Sequence, residues 1–174
     1  MELLDDIEAS IPVLRRYARA LVRDRDRADD LVQDCLERAV AKRHQWRGDG
    51  PVQAWLFRIL INRHRDLLRQ KLAPAHLIAI DDLSFEPADA CGDDARFDLR
   101  EIQDAMSRLS GDQREALLIV ALEGKTFEQA ASILDIPKGT LMSRLARARA
   151  ALRMLTGRAA GPTTAKAPSQ GGRP

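Results

Sequence analysis

Lys138, Arg144, Arg147 and Arg149 stand within Ile136–Leu152, a stretch with no acidic residue, and Thr140 and Ser143 lie between them. Cations interleaved with short hydroxyls suit an anion that carries donors and acceptors of its own. At roughly 100° per residue, Leu141, Leu145, Ala148, Leu152 and Leu155 fall on one narrow helical stripe that would face a core. Thr140, Ser143, Arg144 and Arg147 gather on another face near the helix start. Small Ala146 and Ala150 leave that face open to close approach. Arg149 and Arg153 project elsewhere. Such a helix fits the major groove of duplex DNA, where Arg bonds guanine in two places and Ser or Thr bonds several bases. The outlying arginines would reach phosphates. A solvated cationic face on a helical hairpin, or an amphipathic helix for a membrane or a partner protein, would show the same pattern.

A second cationic set lies earlier. Arg58, Asn62, Arg65 and Arg69 step by four, three and four, so they share a helix face, with Arg63 and His64 beside it. A cationic stripe next to a loop suits a single strand, its cations tracking phosphates. Trp55 and Phe57 are candidates for stacking on bases, although Trp55 sits on the apolar stripe and reads better as core. Asp29, Asp30 and Asp34 could offer carboxylate oxygens to Mg²⁺, but no matching acids accompany the second basic motif. His44, His64 and His76 have no metal-ligand spacing with Cys35 or Cys91. No metal, cofactor or enzymatic activity is expected. The two cysteines read as reduced thiols of a cytoplasmic protein, with Cys35 explained by packing.

The elements that must carry these residues follow from periodicity and punctuation. Ile7, Ile11, Leu14, Ala18 and Leu21 make one helix stripe, and Ala28, Leu31, Val32, Cys35, Leu36, Ala39 and Val40 a second, capped by Asp24 or Asp26. After the breaker cluster Arg47–Pro51, Pro51 suits the first turn of a third helix. Its apolar residues are Val52, Trp55, Leu56, Ile59, Leu60, Leu67 and Leu68. Residues 72–96 lose the periodicity. Residues 71–101 hold eight acids against three bases, whereas 136–174 hold eight bases and no acid, within a net charge of only +2. The middle therefore reads as an acidic flexible linker between modules.

Helical signal returns at Leu99, Ile102, Met106 and Leu109. Ser110 to Gln113 and Thr126 to Gln129 are both capping boxes. The second opens a short helix containing Ala130 and Ala131, small enough for close packing against the helix after Pro137. That is a helix-turn-helix. No secretion signal is expected behind Glu2, Asp5, Asp6 and Glu8, and no run reaches the ~20 apolar residues of a membrane span. The predicted fold is all-α. A helical bundle (1–71) and a helix-turn-helix domain (97–156) are joined by the linker (72–96), with a disordered tail (157–174).

Gly124-Lys125-Thr126-Phe127-Glu128-Gln129-Ala130-Ala131, followed by Ile136 to Arg149, resembles the C-terminal domain of extracytoplasmic-function sigma factors. These are initiation subunits of bacterial RNA polymerase. The N-terminal half resembles the same family independently, through Ala28 to Asp34 and through Arg47-Gly48-Asp49 followed by Ala54 to Asn62. Together the matches span roughly 8–71 and 100–155.

The resemblance implies that Asp30, Leu31, Gln33 and Asp34 bind core RNA polymerase. Arg47, Arg58, Asn62, Arg65 and Arg69 would bind and melt a −10 promoter element, with Asn62 reading a base lifted from the stack. Lys138, Thr140, Ser143, Arg144 and Arg147 would read a −35 element. It also implies an anti-sigma partner and a linker entering the polymerase channels. Two other classes share parts of this pattern. One is a stand-alone helix-turn-helix regulator dimerising through its N-terminal bundle. The other is a sigma mimic that sequesters an anti-sigma factor.

Overall fold

The computed structural model describes residues 3–72 and 101–156, and every regular element among them is helical. α1 spans Leu3–Val22, α2 Arg25–Ala41 and α3 Val52–Leu72. A single 3-10 turn, Arg43–Gln45, follows α2. α4 includes residues 101–107. α5 spans Gly111–Leu117 and runs into a π-helical turn, Leu118–Leu122. α6 spans Phe127–Leu134 and α7 Lys138–Thr156. The fold is all-α with two helical domains, the second a helix-turn-helix. Residues 73–96 of the expected linker and the expected tail 157–174 lie outside the described residues.

The punctuation works locally as the side chains dictate. Arg23 takes φ 68° to reverse the chain between α1 and α2, and its N–H donates to the Arg19 carbonyl at 3.0 Å. Asp24 then accepts from the Arg27 N–H at 2.8 Å, satisfying one orphan donor of α2. Pro51 stands one residue before α3 rather than in its first turn, and its carbonyl accepts from the Ala54 N–H. Both capping boxes close in both directions, Ser110 with Gln113 and Thr126 with Gln129. Asp135 adopts the left-handed conformation, φ 55°, that ends α6 and aims the chain into α7.

α1, α2 and α3 pack on one another, and α7 packs on α5 and α6. The two domains are also in contact: α6 lies against α3, and the π turn lies against α1. One continuous apolar core results. It holds Tyr17, Phe57, Leu60 and Ile61 from the first domain and Ile119, Leu134 and Leu141 from the second.

This contact changes the reading of α3. Its buried residues are Leu56, Phe57, Leu60, Ile61 and His64, while Val52, Trp55, Ile59 and Leu67 are half-buried and Leu68 is exposed. The core face is rotated from the predicted stripe because α3 is covered on two sides, by α1 and α2 and by α6. Phe57, a candidate for base stacking, is fully enclosed. Its ring meets Tyr17 edge-on at 5.1 Å, and Lys125 Nζ lies 5.9 Å from its centroid. Trp55 leans on Trp46 at 5.5 Å.

Candidate nucleic-acid interface

The start of α7 presents Thr140, Ser143 and Arg147 to solvent. With Ser110, Gln113 and Gly139 they line an open groove of about 480 Å³ between the α5 and α7 N-termini. Two α7 cations are already engaged. Arg144 turns back toward α5, its Nη2 2.9 Å from Asp112 Oδ2, and its side chain is only 21% exposed. Its Nη1 is buried with no hydrogen-bond partner. Lys138 Nζ is bound by the Glu128 carboxylate, a hydrogen bond that holds the Glu128 carboxyl below its ordinary pKa. Arg149 is exposed on a different side of α7, consistent with its predicted exclusion from the groove face.

The α3 stripe is divided. Asn62 and Arg69 are exposed, as is Arg47 in the loop before α3. Arg58, itself exposed, and half-buried Arg65 reach across to the second domain. Arg58 Nη2 donates to the Ser132 carbonyl at 2.6 Å. Arg65 Nε and Nη2 donate to Glu115 Oε2 at 3.0 and 2.7 Å, and Nη1 reaches the Leu134 carbonyl at 3.4 Å. Burial pulls the Arg65 guanidinium down, but the hydrogen bond and charge of Glu115 together outweigh it and leave its pKa raised. Arg69 pairs with Asp66 on its own helix.

On α2, Asp30 and Gln33 are exposed. Asp34 accepts from Arg63 Nε at 2.6 Å, so it also ties α2 to α3. These three residues rim a groove of about 720 Å³ that Leu67 and Leu68 also line. Leu31, predicted as a polymerase contact, is a correction. It is 1% exposed and belongs to the core, because the face opposite Asp30 is the one that packs on α1 and α3. Its part is to hold α2 in place.

Sequence reasoning passed over the acids that bridge the domains. Glu115 is 2% exposed, and His64 Nδ1 lies 3.6 Å from its other oxygen. Tyr17 Oη donates to the Glu115 carbonyl at 3.3 Å. Glu123, whose side chain is equally enclosed, receives Arg16 Nε and Nη2 at 3.2 and 2.7 Å. Lys125 Nζ donates to Gln53 at 3.2 Å. One signal was available: Glu115 sits three and four residues before Leu118 and Ile119, an acid in an apolar stripe. Among the described residues, no group of three His, Cys, Asp or Glu side chains is placed to hold a metal ion. No helix among them is long and apolar enough to cross a membrane.

Comparison with known proteins agrees with this geometry. Residues 7–61 match the family model described as the sigma2 domain of PhyR, and residues 99–152 match sigma-70 region 4. The chain is 38% identical over 156 residues to the ECF RNA polymerase sigma factor EcfG of Rhodopseudomonas palustris strain TIE-1, covering 88% of this chain and 84% of that protein. Among solved structures it is similar to the sigma factor RpoE in complex with the anti-sigma factor NepR from Bartonella quintana. That match has 32% identity and a TM-score of 0.75, covering 88% of this chain and 95% of the other. It is also similar to CnrH in complex with the cytosolic domain of CnrY, at 26% identity and a TM-score of 0.66, covering 89% of this chain and 87% of that one. Two sigma domains in the order of these relatives set aside the stand-alone regulator, and the chain belongs to the extracytoplasmic-function family of RNA polymerase sigma factors.

Proposed function

We propose that the two domains divide initiation between them, with residues 1–71 engaging polymerase and the −10 element and residues 97–156 reading the −35 element, across the linker 72–96. Sigma factors regulate transcription and are not enzymes, and this chain would act in the cytoplasm through binding alone. The observation that carries the −35 assignment is the solvent-facing trio Thr140, Ser143 and Arg147 at the start of α7, open along the same groove. Their side chains match the donors and acceptors of base edges in the major groove. Lys138 and Arg144 complete the set once Glu128 and Asp112 release them.

Asp30, Gln33 and Asp34 form the proposed polymerase contact on α2. Arg47, Arg58, Asn62, Arg65 and Arg69 form the proposed −10 surface, where cations track phosphates and Asn62 meets an unstacked base. An anti-sigma factor is the natural third partner, since the related RpoE and CnrH are bound to NepR and CnrY in their solved complexes. Run-off transcription with purified bacterial core polymerase tests the whole reading. The chain should start transcripts from a cognate promoter and lose that ability when Asp30 and Gln33 are replaced by Ala. Transcription that is independent of the added chain would refute it.

A further inference from the structure

Among the described residues lining the groove at the α5 and α7 N-termini, Asp112 is the one acid. It shares that groove with Thr140, Ser143 and Arg147, the solvent-facing trio of α7, yet it stands on α5. Its side chain is 58% exposed, and its Oδ2 lies 2.9 Å from Arg144 Nη2. Arg144 is held incompletely there, since its Nη1 is buried without a hydrogen-bond partner. An ion pair with a solvated acid is a weak tie, and the O6 and N7 acceptors of a guanine offer Arg144 a better one. Once Arg144 turns to a guanine, Asp112 is left as a carboxylate against the base edges. A carboxylate stripped of water must find donors. In the major groove only cytosine N4 and adenine N6 supply them, and adenine sets its N7 acceptor beside the donor. Guanine O6 and thymine O4 are acceptors and repel the charge. Asp112 and Arg144 stand 2.9 Å apart in the free chain, close to the stacking distance of about 3.4 Å between successive bases. The two side chains therefore address neighbouring base pairs.

We propose that Asp112 is a specificity-determining residue of the −35 interface, placed outside α7: it accepts from the N4 amino group of a cytosine beside the guanine taken by Arg144, and it rejects thymine or guanine at that position. The inference rests on the reading of the α7 start as the −35 surface. An acid at a DNA surface is repelled by phosphates whatever the sequence, so Asp112 adds little affinity. Its effect is on discrimination, because a charge left without a donor penalises the wrong base.

The test reads base preference in the full chain bound to bacterial core polymerase. A duplex library randomised over about 10 base pairs, one helical turn, is selected by the parent and by Asp112→Asn, Asp112→Ala, Arg144→Ala and Arg147→Ala. The Ser110–Gln113 capping box closes the start of α5 without Asp112, so both Asp112 variants keep that helix. The parent's selected duplex and its C·G→T·A partner at the assigned position are then titrated by fluorescence anisotropy at one fixed salt. The parent should prefer cytosine over thymine about ten-fold, within the range of one base contact. Asp112→Asn, whose amide both donates and accepts, should level the two by gaining on thymine rather than by losing on cytosine. Asp112→Ala should also level them, and both variants should keep the preferences that Arg147→Ala loses. A cytosine preference unchanged in both Asp112 variants, or a parent that selects no cytosine beside the guanine of Arg144, overturns the proposal. So does a change confined to the guanine position that Arg144→Ala also loses, which would make Asp112 only a prop for Arg144. A parent that selects no sequence, or an Arg147→Ala variant with the parent's profile, instead refutes the −35 reading beneath the proposal and takes the proposal with it.

Discussion

Arg147 and Arg144 look equivalent on a helical wheel but not in the folded protein, and the difference sets an ordered prediction. Arg147 is exposed at the groove. If it bonds a guanine, Arg147→Ala should cost about 1–3 kcal/mol on a cognate −35 site, roughly 5- to 140-fold in Kd. Arg144 must first leave Asp112, an ion pair at 2.9 Å whose acid is 58% exposed. Half-exposed pairs of this kind are worth about 0.2–1 kcal/mol. The DNA contact of Arg144 is offset by that amount, so Arg144→Ala should cost about 0.2–1 kcal/mol less than Arg147→Ala. Arg149→Ala should weaken cognate and scrambled DNA alike, because its side chain lies off the groove face. Fluorescence-anisotropy titrations of polymerase holoenzyme on both DNAs, at one fixed salt, measure all three. The reasoning fails if Arg144→Ala costs as much as Arg147→Ala, or if either loss is equal on scrambled DNA.

Asn62→Ala should leave polymerase binding and −35 contact unchanged but reduce opening of the −10 region. Permanganate reactivity of unpaired thymines reads this, and a pre-melted bubble template should restore the variant relative to the parent. Leu134→Ala empties a fully buried position in the shared core and should cost about 2–5 kcal/mol. At about 2–4 °C per kcal/mol that lowers Tm by about 4–20 °C. The loss should come in one transition, with faster amide exchange in α1 and α3 as well as α6. Two separate transitions, with α1 and α3 unaffected, would contradict a shared core.

Burial pushes the Cys35 thiol from 9.0 up to about 12, against a small opposing pull from Arg38. Burial, with the Glu115 charge behind it, pushes the Tyr17 phenol well above 10.0. Both groups are held protonated by the fold, so their stabilisation is complete at neutral pH; that of Cys35 is lost as pH rises from 9.0 toward about 12, and that of Tyr17 only above 10.0. Cys35 alone should account for about 2 kcal/mol of lost stability at pH 10.5. Denaturant midpoints of the parent against Cys35→Ala should therefore converge as pH is raised from 7 to 10.5.

Local chemistry was the legible part of this sequence. Ser110 with Gln113, and Thr126 with Gln129, announce helix starts through bonds that involve only neighbouring residues, and both form as expected. The stripes of α1 and α2 were readable for the same reason. α3 was not, because α6 packs on it as well as α1 and α2, and periodicity carries no information about which distant helix arrives. For Leu31 the resemblance implies a polymerase contact, although its own stripe places it in the core, where it lies. The candidate cations were found by charge and spacing. Their engagement by Asp112, Glu115 and Glu128 was not, because an acid on a helix wheel does not name its partner. Glu115 shows the limit: as an isolated letter it resembles any surface glutamate, and its enclosure comes with Tyr17, His64 and Arg65 of the first domain.

The π turn at Leu118–Leu122 sets a tolerance on chain length. Its Glu123 N–H donates to the Leu118 carbonyl five residues back, at 3.2 Å. A turn of this kind accommodates one residue more than an α-helical turn does, so removing a single codon there would let the helix run on regularly. Because the wider turn already absorbs that residue, Glu123 would stay on nearly the same side of the axis and within reach of Arg16. A one-residue deletion within this short stretch would thus leave the contact nearly in phase, whereas the same deletion in the regular helix beside it would rotate what lies between by roughly 100°. Homologous sequences aligned through this helix should accordingly count a single gap at Leu118–Leu122 as variation in length that the interdomain contact tolerates.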